Sequence, residues 1–235
     1  MHGRRARTAS LLALYLACLL AIVLALAACG ASNVPTAQQL IKNAQAAIQK
    51  VKSYHFNLVV DNPGQEGILT IKTADGDVLV PDKLQAKANA LIFGNIVNVR
   101  IIAIGDKQYV TDPITGNWTA ATGLLDPHTL SDSKTGVGAI LGHIQNPSPP
   151  TDANVDGTPC WNINGTLNAK YLTGITGASA PAGSTVAVTT CIGKADNLPY
   201  LFRLSGIAAQ GDTAKTVRTF KLSKFGEALS ITAPI

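Results

Sequence analysis

The apolar positions of this chain follow three different spacings, and each marks a different kind of segment. From Leu11 to Ala28 apolar and small residues run unbroken. From Leu40 to Val51 they recur every three or four residues. Leu40, Ala44, Ala47, Ile48 and Val51 thereby share one side of a helix, which Thr36 and Gln39 open as a capping box. From Tyr54 onward apolar and polar residues alternate, the pattern of half-buried strands. The expected strands cover residues 54–60, 68–73, 83–93, 96–104 and 107–111. Asn62-Pro63-Gly64, Asp75-Gly76, Gly94-Asn95, Gly105-Asp106 and Asp112-Pro113 supply the turns. Between residues 123 and 150 the helical spacing returns: Asp126 can cap and Pro127 can take the first helical position. Val137, Ile140, Leu141 and Ile144 form a second stripe, stopped by Pro147, Pro149 and Pro150. Strand patterns resume at residues 160–167, 184–191, 198–205, 216–222 and 228–233.

Helix, strands, helix, strands, with a turn about every ten residues, argues an α+β fold built on an antiparallel meander. Such a sheet must hide one face. The helices are its apolar partners, so they should lie across the concave side of a strongly curved half-barrel sheet. That arrangement leaves an apolar cavity between sheet and helices. Val97, Val99, Ile101 and Ala103 share one face of a strand whose other face carries Ile96, Asn98, Arg100 and Ile102, and Tyr200, Phe202 and Leu204 repeat the alternation. Phe56, Leu58, Val97, Val99, Ile101, Leu141, Ile144 and Phe202 are the candidate cavity lining. A filled core uses the same residue types, so both readings stand for each of them.

The unbroken run is preceded by Arg4, Arg5 and Arg7, and charge followed by apolar residues is the layout of a secretory signal. Leu26-Ala27-Ala28-Cys29 closes it in the manner of the lipobox of bacterial lipoproteins, in which a peptidase cleaves before a cysteine already carrying diacylglycerol. Residues 1–28 are therefore expected to be a lipoprotein signal peptide, Cys29 the lipid attachment site, residues 29–35 an acylated N-terminus with a short tether, and residues 36–235 a single domain. Each methylene of an acyl chain such as palmitate contributes about 0.8 kcal/mol on burial, and two or three chains hold a protein on a bilayer. The expected location is the extracytoplasmic face of the cell membrane. A retained transmembrane helix is one alternative: the eighteen residues of the run, at about 1.5 Å each, reach roughly 27 Å against a hydrocarbon core of about 30 Å. An ordinary secretory signal cut after Ala28 is the other.

Charge then removes a class of function. Three of the 19 basic residues lie in the first 28 residues, leaving 16 against 14 acidic ones, and no Lys/Arg cluster stands out. That is no nucleic-acid footprint. Cys18 departs with the signal, and Cys160 and Cys191 remain as an even pair, which in an exported protein reads as a disulfide. A metal pair or two buried thiols are the alternatives, although no His or further Cys lies nearby in sequence. His55, His128 and His143 stand apart without HExxH or paired Cys/His spacing, and there is no G-x-S-x-G elbow. Gly136-Val137-Gly138 with Gly142 lacks the strand and lysine of a phosphate loop. No catalytic residue, metal site or cofactor is expected, and the chain is read as not an enzyme. Trp118 and Trp161 suit a cavity mouth or a lipid interface, and equally an ordinary half-buried position.

Several segments together resemble a family. They are the lipobox, Ser53-Tyr54-His55-Phe56, the stretch from Tyr109 to Trp118 with Pro113-Ile114-Thr115-Gly116, Leu124-Leu125-Asp126-Pro127, Asp156-Gly157, Asn197-Leu198-Pro199, and the ending from Phe225-Gly226 to Ala233-Pro234. Their order over nearly all of the chain after the signal resembles the LppX/LprA/LprF/LprG lipoproteins of mycobacteria. The resemblance implies a LolA/LolB-like fold, binding of acylated lipid or glycolipid, and its carriage across the cell envelope. Direction would come from a gradient or a partner such as a membrane lipid transporter. Apart from the resemblance, the loop from Leu124 to Ser133, with apolar Leu124-Leu125 beside flexible Ser, Asp and Gly, is read as a gate of the cavity. The Cys160/Cys191 pair is not part of what the resemblance carries. A structural or interaction lipoprotein without a cavity, and a LolA-like lipoprotein chaperone, are the competing readings; against the chaperone, a soluble shuttle should not carry its own anchor.

Overall fold

The computed structural model describes residues 34–64, 69–92, 94–122, 127–131, 136–176 and 179–235. Residues 35–235 form one compact unit. The expected signal peptide, Cys29 with most of the tether, the strand ends Ile68 and Phe93, and Leu124, Leu125 and Asp126 lie outside the described residues.

Helix α1 (Ala37–Ile48) begins where the sequence expects, with the Thr36 hydroxyl accepting the Gln39 amide at 3.2 Å. It buries Ala37, Leu40, Ile41, Ala44 and Ile48, so Ile41 joins the expected stripe while Ala47 stays half-buried. Six strands follow as a meander: β1 (Ser53–Asp61), β2 (Leu69–Leu79), β3 (Lys83–Ile92), β4 (Asn95–Ile104), β5 (Lys107–Thr111) and β6 (Trp118–Ala121). Then come two short helices, α2 (Pro127–Ser131) and α3 (Val137–Gly142), where the sequence suggested one, and Ile144 falls beyond the second. Five more strands complete the chain: β7 (Thr151–Val155), β8 (Thr158–Asn168), β9 (Thr185–Gly193), β10 (Pro199–Ser205) and β11 (Val217–Ser223). A 3-10 turn (Ala169–Leu172) and α4 (Thr173–Thr176) sit between β8 and β9.

All eleven strands form one antiparallel sheet in the order β6-β5-β4-β3-β2-β1-β11-β10-β9-β8-β7. Two meanders are thus joined where the first strand pairs with the last, Phe56 opposite Leu222 and Leu58 opposite Phe220. The sheet is curved and open, with β6 and β7 at its edges. Helices α1 and α3 contribute Leu40, Ala44, Ile48, Ile140 and Leu141 to the same buried cluster as Phe56, Val99, Ile163 and Phe202 of the strands.

Two expectations are corrected, and two strands went unread. Asp75-Gly76 is not a turn but lies within β2, and the chain reverses at residues 80–82. A Cβ on Gly76 would stand 2.2 Å from the Gln85 carbonyl oxygen and 2.7 Å from the Ala86 Cβ, so glycine here permits close approach of β3. Residues 228–233 form no strand: the tail is fixed instead by Gly226 N donating to Ser53 O, Ser53 Oγ donating to Glu227 O, and the burial of Ile231. Finally β6 and β7, short edge strands of four and five residues, carried too little alternation to be read.

Candidate functional site

The register of the sheet decides which apolar side chains meet on its inner face, and the two halves of that face differ. Over β8 to β11 most of the inner face is closed, with Trp161 of β8 left half-buried. Phe202, Ile163, Leu167, Leu172, Ile140 and Leu141 are all essentially without exposed surface. Over β1 to β5 the wall is built from smaller residues, Ala86, Ala88 and Ala90 of β3 facing Ile101, Val99 and Val97 of β4. Here Leu58, Ile71, Val97 and Val110 point to the core side of the sheet yet keep part of their surface accessible. Leu58 opposes buried Ala74, Ile71 and Val97 each oppose buried Ala90, and Val110 opposes buried Ile101, so all four share the inner face.

Of the expected lining residues, Phe56, Val99, Ile101, Leu141 and Phe202 belong to the buried core, and Phe56 stacks on Phe220 with ring centroids 5.4 Å apart. Leu58, Val97 and Ile144 are half-buried at its margin. Ile71 and Val110 complete the half-buried group and were not among the expected residues. Ile71 was obscured by a register shift between Ile71 and Thr73, which breaks the two-residue alternation and puts Ile71 and Ala74 on one face despite their odd spacing. The Gly138/Gly142 pair, set aside as a phosphate loop, faces α1 instead. Gln45 Nε2 donates to Gly138 O at 3.1 Å, and a Cβ on Gly138 would touch Ile48.

The outer face of the same strands is polar. His55 sits between two carboxylates, Nδ1 2.8 Å from Asp77 and Nε2 3.2 Å from Asp75, and Gln85 donates to Asp77 at 2.8 Å. Burial works to raise the Asp77 carboxyl, but the hydrogen bonds from Gln85 and His55, with the charges of His55 and Lys224, outweigh it and hold it below the usual carboxylate range. A groove of about 380 Å³ runs from these residues past Lys87 to Arg100, whose guanidinium lies 5.0 Å over the Trp118 ring. Trp161 is likewise capped by Lys194, 3.9 Å from its ring centre. Cys160 and Cys191 are joined in a disulfide across β8 and β9 with Cα atoms 5.5 Å apart. Among the described residues no three His, Cys, Asp or Glu side chains come together as a metal site.

The family model described as LppX_LprAFG lipoprotein matches residues 36–231. The chain belongs to that family. Curated members of similar sequence carry the name "Putative diacylated glycolipid transporter LprF" in Mycobacterium bovis and in Mycobacterium tuberculosis. Each is 23% identical over 171 residues, which are 67% of this chain and 62% of the relative. The chain thus spans less than two thirds of the length of these relatives. Among solved structures, LprF from Mycobacterium bovis superposes with a TM-score of 0.68 at 20% identity, covering 84% of this chain and 96% of that one. LppX from Mycobacterium tuberculosis gives 0.61 at 20% identity, covering 83% and 98%. Both likenesses are of fold, the open curved antiparallel sheet with a few helices. Membership in a lipoprotein family points to the cell envelope, outside the cytoplasm.

Proposed function

We propose that this protein is a membrane-anchored extracytoplasmic lipoprotein that binds acylated lipid or glycolipid in an apolar space between the sheet and the helices, and carries it across the cell envelope without chemical change. The observation that carries the reading is the incomplete burial of Leu58, Ile71, Val97 and Val110 on the inner face. Aliphatic side chains that face a core and remain part-exposed lose contacts that an acyl chain would restore, at about 25 cal/mol per Å² of apolar surface covered. The relatives' name, a transporter of diacylated glycolipid, favours the same ligand class. The anchor would be supplied by acyl chains on Cys29, and a membrane transporter would give the transfer its direction.

The decisive experiment is solvent extraction of purified residues 30–235 followed by mass spectrometry. The expected result is stoichiometric diacyl or triacyl lipid. An empty domain that also takes up no fluorescent lipid would favour a structural envelope lipoprotein instead.

A further inference from the structure

The sheet has two rims. At one, β1 begins and β2 ends, Ser53 opposite Leu79, and the β4–β5 turn at Asp106 closes the same side. The C-terminal tail is tied there through Gly226 to Ser53 and through Lys83 to Ile231. At the other, β1 ends, β2 begins, and the β3–β4 hairpin pairs Ile92 with Asn95.

The exposed large apolar side chains among the described residues are Val34, Ile96, Ile114 and Ile235. Ile96, 65% exposed, is the second residue of β4 and therefore lies at the second rim. Ile114, 92% exposed, is in the loop that leaves β5 toward the beginning of β4, since Ile101 pairs with Val110 and the Arg100 amide donates to Thr111 Oγ1. The loop is built to hold that side chain outward. Asp112 Oδ1 accepts the Ile114 amide at 3.0 Å and the Thr115 amide at 2.7 Å, and Gly116 N donates to Asp112 O at 2.9 Å.

The start of α1 lies at that rim too. Its C-terminus leads through residues 49–52 into Ser53 at the first rim. Toward its N-terminus it follows α3 in the opposite sense, Ile48 against Gly138 and Gln45 against the position of Gly142. The chain after α3 reaches Gln145, which bridges to Thr166 near the end of β8, and successive registers across β9, β10 and β11 align that end with Asp61. Pro35, one residue after exposed Val34, therefore leads to α1 from the second rim. The half-buried Leu58, Ile71 and Val97 also lie toward this rim, near the end of β1, the beginning of β2 and the beginning of β4.

We propose that the second rim is the face this protein lays on the lipid bilayer, with Ile114 and Ile96 seated in the interface between headgroups and acyl chains. This rests on the carrier reading and extends it by naming the surface through which lipid passes. The occupant follows from the chain itself: residues 30–35 span at most about 3.6 Å each, so an anchor at Cys29 holds the start of α1 within roughly 20 Å of the membrane. The exposed aliphatic side chains of Ile96 and Ile114 suit shallow interfacial insertion.

The test uses the full-length acylated chain in vesicles of phosphatidylethanolamine and phosphatidylglycerol. Ile96→Cys, Ile114→Cys and, on the opposite rim, Asp106→Cys each carry an environment-sensitive fluorophore. Emission at positions 96 and 114 is expected to shift to the blue and to lose roughly half its intensity to lipids quenching at shallow depth, while position 106 stays unshifted and unquenched. No quenching at 96 and 114, or equal quenching at all three, overturns the proposal. Lipid extracted from the same preparation is measured separately. Bound lipid without quenching removes the docking surface alone, and quenching without bound lipid removes the carrier reading alone.

Discussion

Tyr54 enters the core at the beginning of β1, and its buried hydroxyl has no protein hydrogen-bond partner. Burial raises its pKa, and an unpartnered buried oxygen forfeits its hydration without return. Tyr54→Phe is therefore expected to match the wild type in urea unfolding or to exceed it by up to about 1 kcal/mol. Asp212 is the opposite case. Its side chain is 4% exposed, pairs with Arg218, and accepts the amides of Ala208 and Ala209 at 2.9 and 2.8 Å. Asp212→Ala leaves a guanidinium and two amides unpaired and should lower unfolding free energy by about 3 kcal/mol or more. Asp77 sets a pH dependence. Its folded pKa is depressed, so its stabilising contribution is present above the unfolded value near 3.8 and is lost as pH falls through the lower, folded value. In thermal melts, the gap between wild type and Asp77→Asn should be constant at neutral pH and close below about pH 4.

Among the elements, close approach of backbones is the recurring device. Gly165 of β8 would place a Cβ 2.6 Å from Ile144 and 2.8 Å from the Gln145 carbonyl oxygen, whereas Gly142 would meet only the terminal amide of Gln45. Backbone cannot swing aside and a glutamine can. Gly165→Ala is thus expected to destabilise by about 1 to 3 kcal/mol and Gly142→Ala by less than about 1, compared by urea midpoint. The disulfide joins β8 to its neighbour β9. With a sequence separation of 31, its loss through Cys160→Ser and Cys191→Ser should remove about 3 to 4 kcal/mol by chain entropy, measured against the oxidised parent. Element boundaries were legible where one residue pattern was unbroken, as in α1 and β5. They were lost where a tertiary neighbour overruled local preference, as at Gly76, whose turn-like Asp-Gly pair is held extended by β3.

At the scale of the whole molecule the asymmetry between the two halves is the feature to test. Val97→Phe would project into the part-open half, and should reduce co-purified lipid with little change in stability. Val186→Phe enlarges a side chain in the more closed half, where Val186 is 1% exposed, and should instead destabilise by about 1 to 3 kcal/mol through overpacking. Lipid content by mass spectrometry and urea midpoints, read together, separate the two effects. If both variants behaved alike, the inner face would be one uniform core and the carrier reading would lose its main support.

The sequence by itself determined the strand-rich α+β class and the first helix with its cap, because each is written in local spacing, and it pointed to the Cys160–Cys191 disulfide that the structure shows. It also carried the family, through short segments in order along the chain. Tertiary structure alone decided which apolar faces close and which stay part-open. Leu58 and Phe56 have the same alternation, yet Phe56 is buried against Phe220 while Leu58 is not closed over. Burial depends on what stands opposite, and opposite here means β11, β2 and the helices, brought together by a first-to-last strand pairing far apart in sequence.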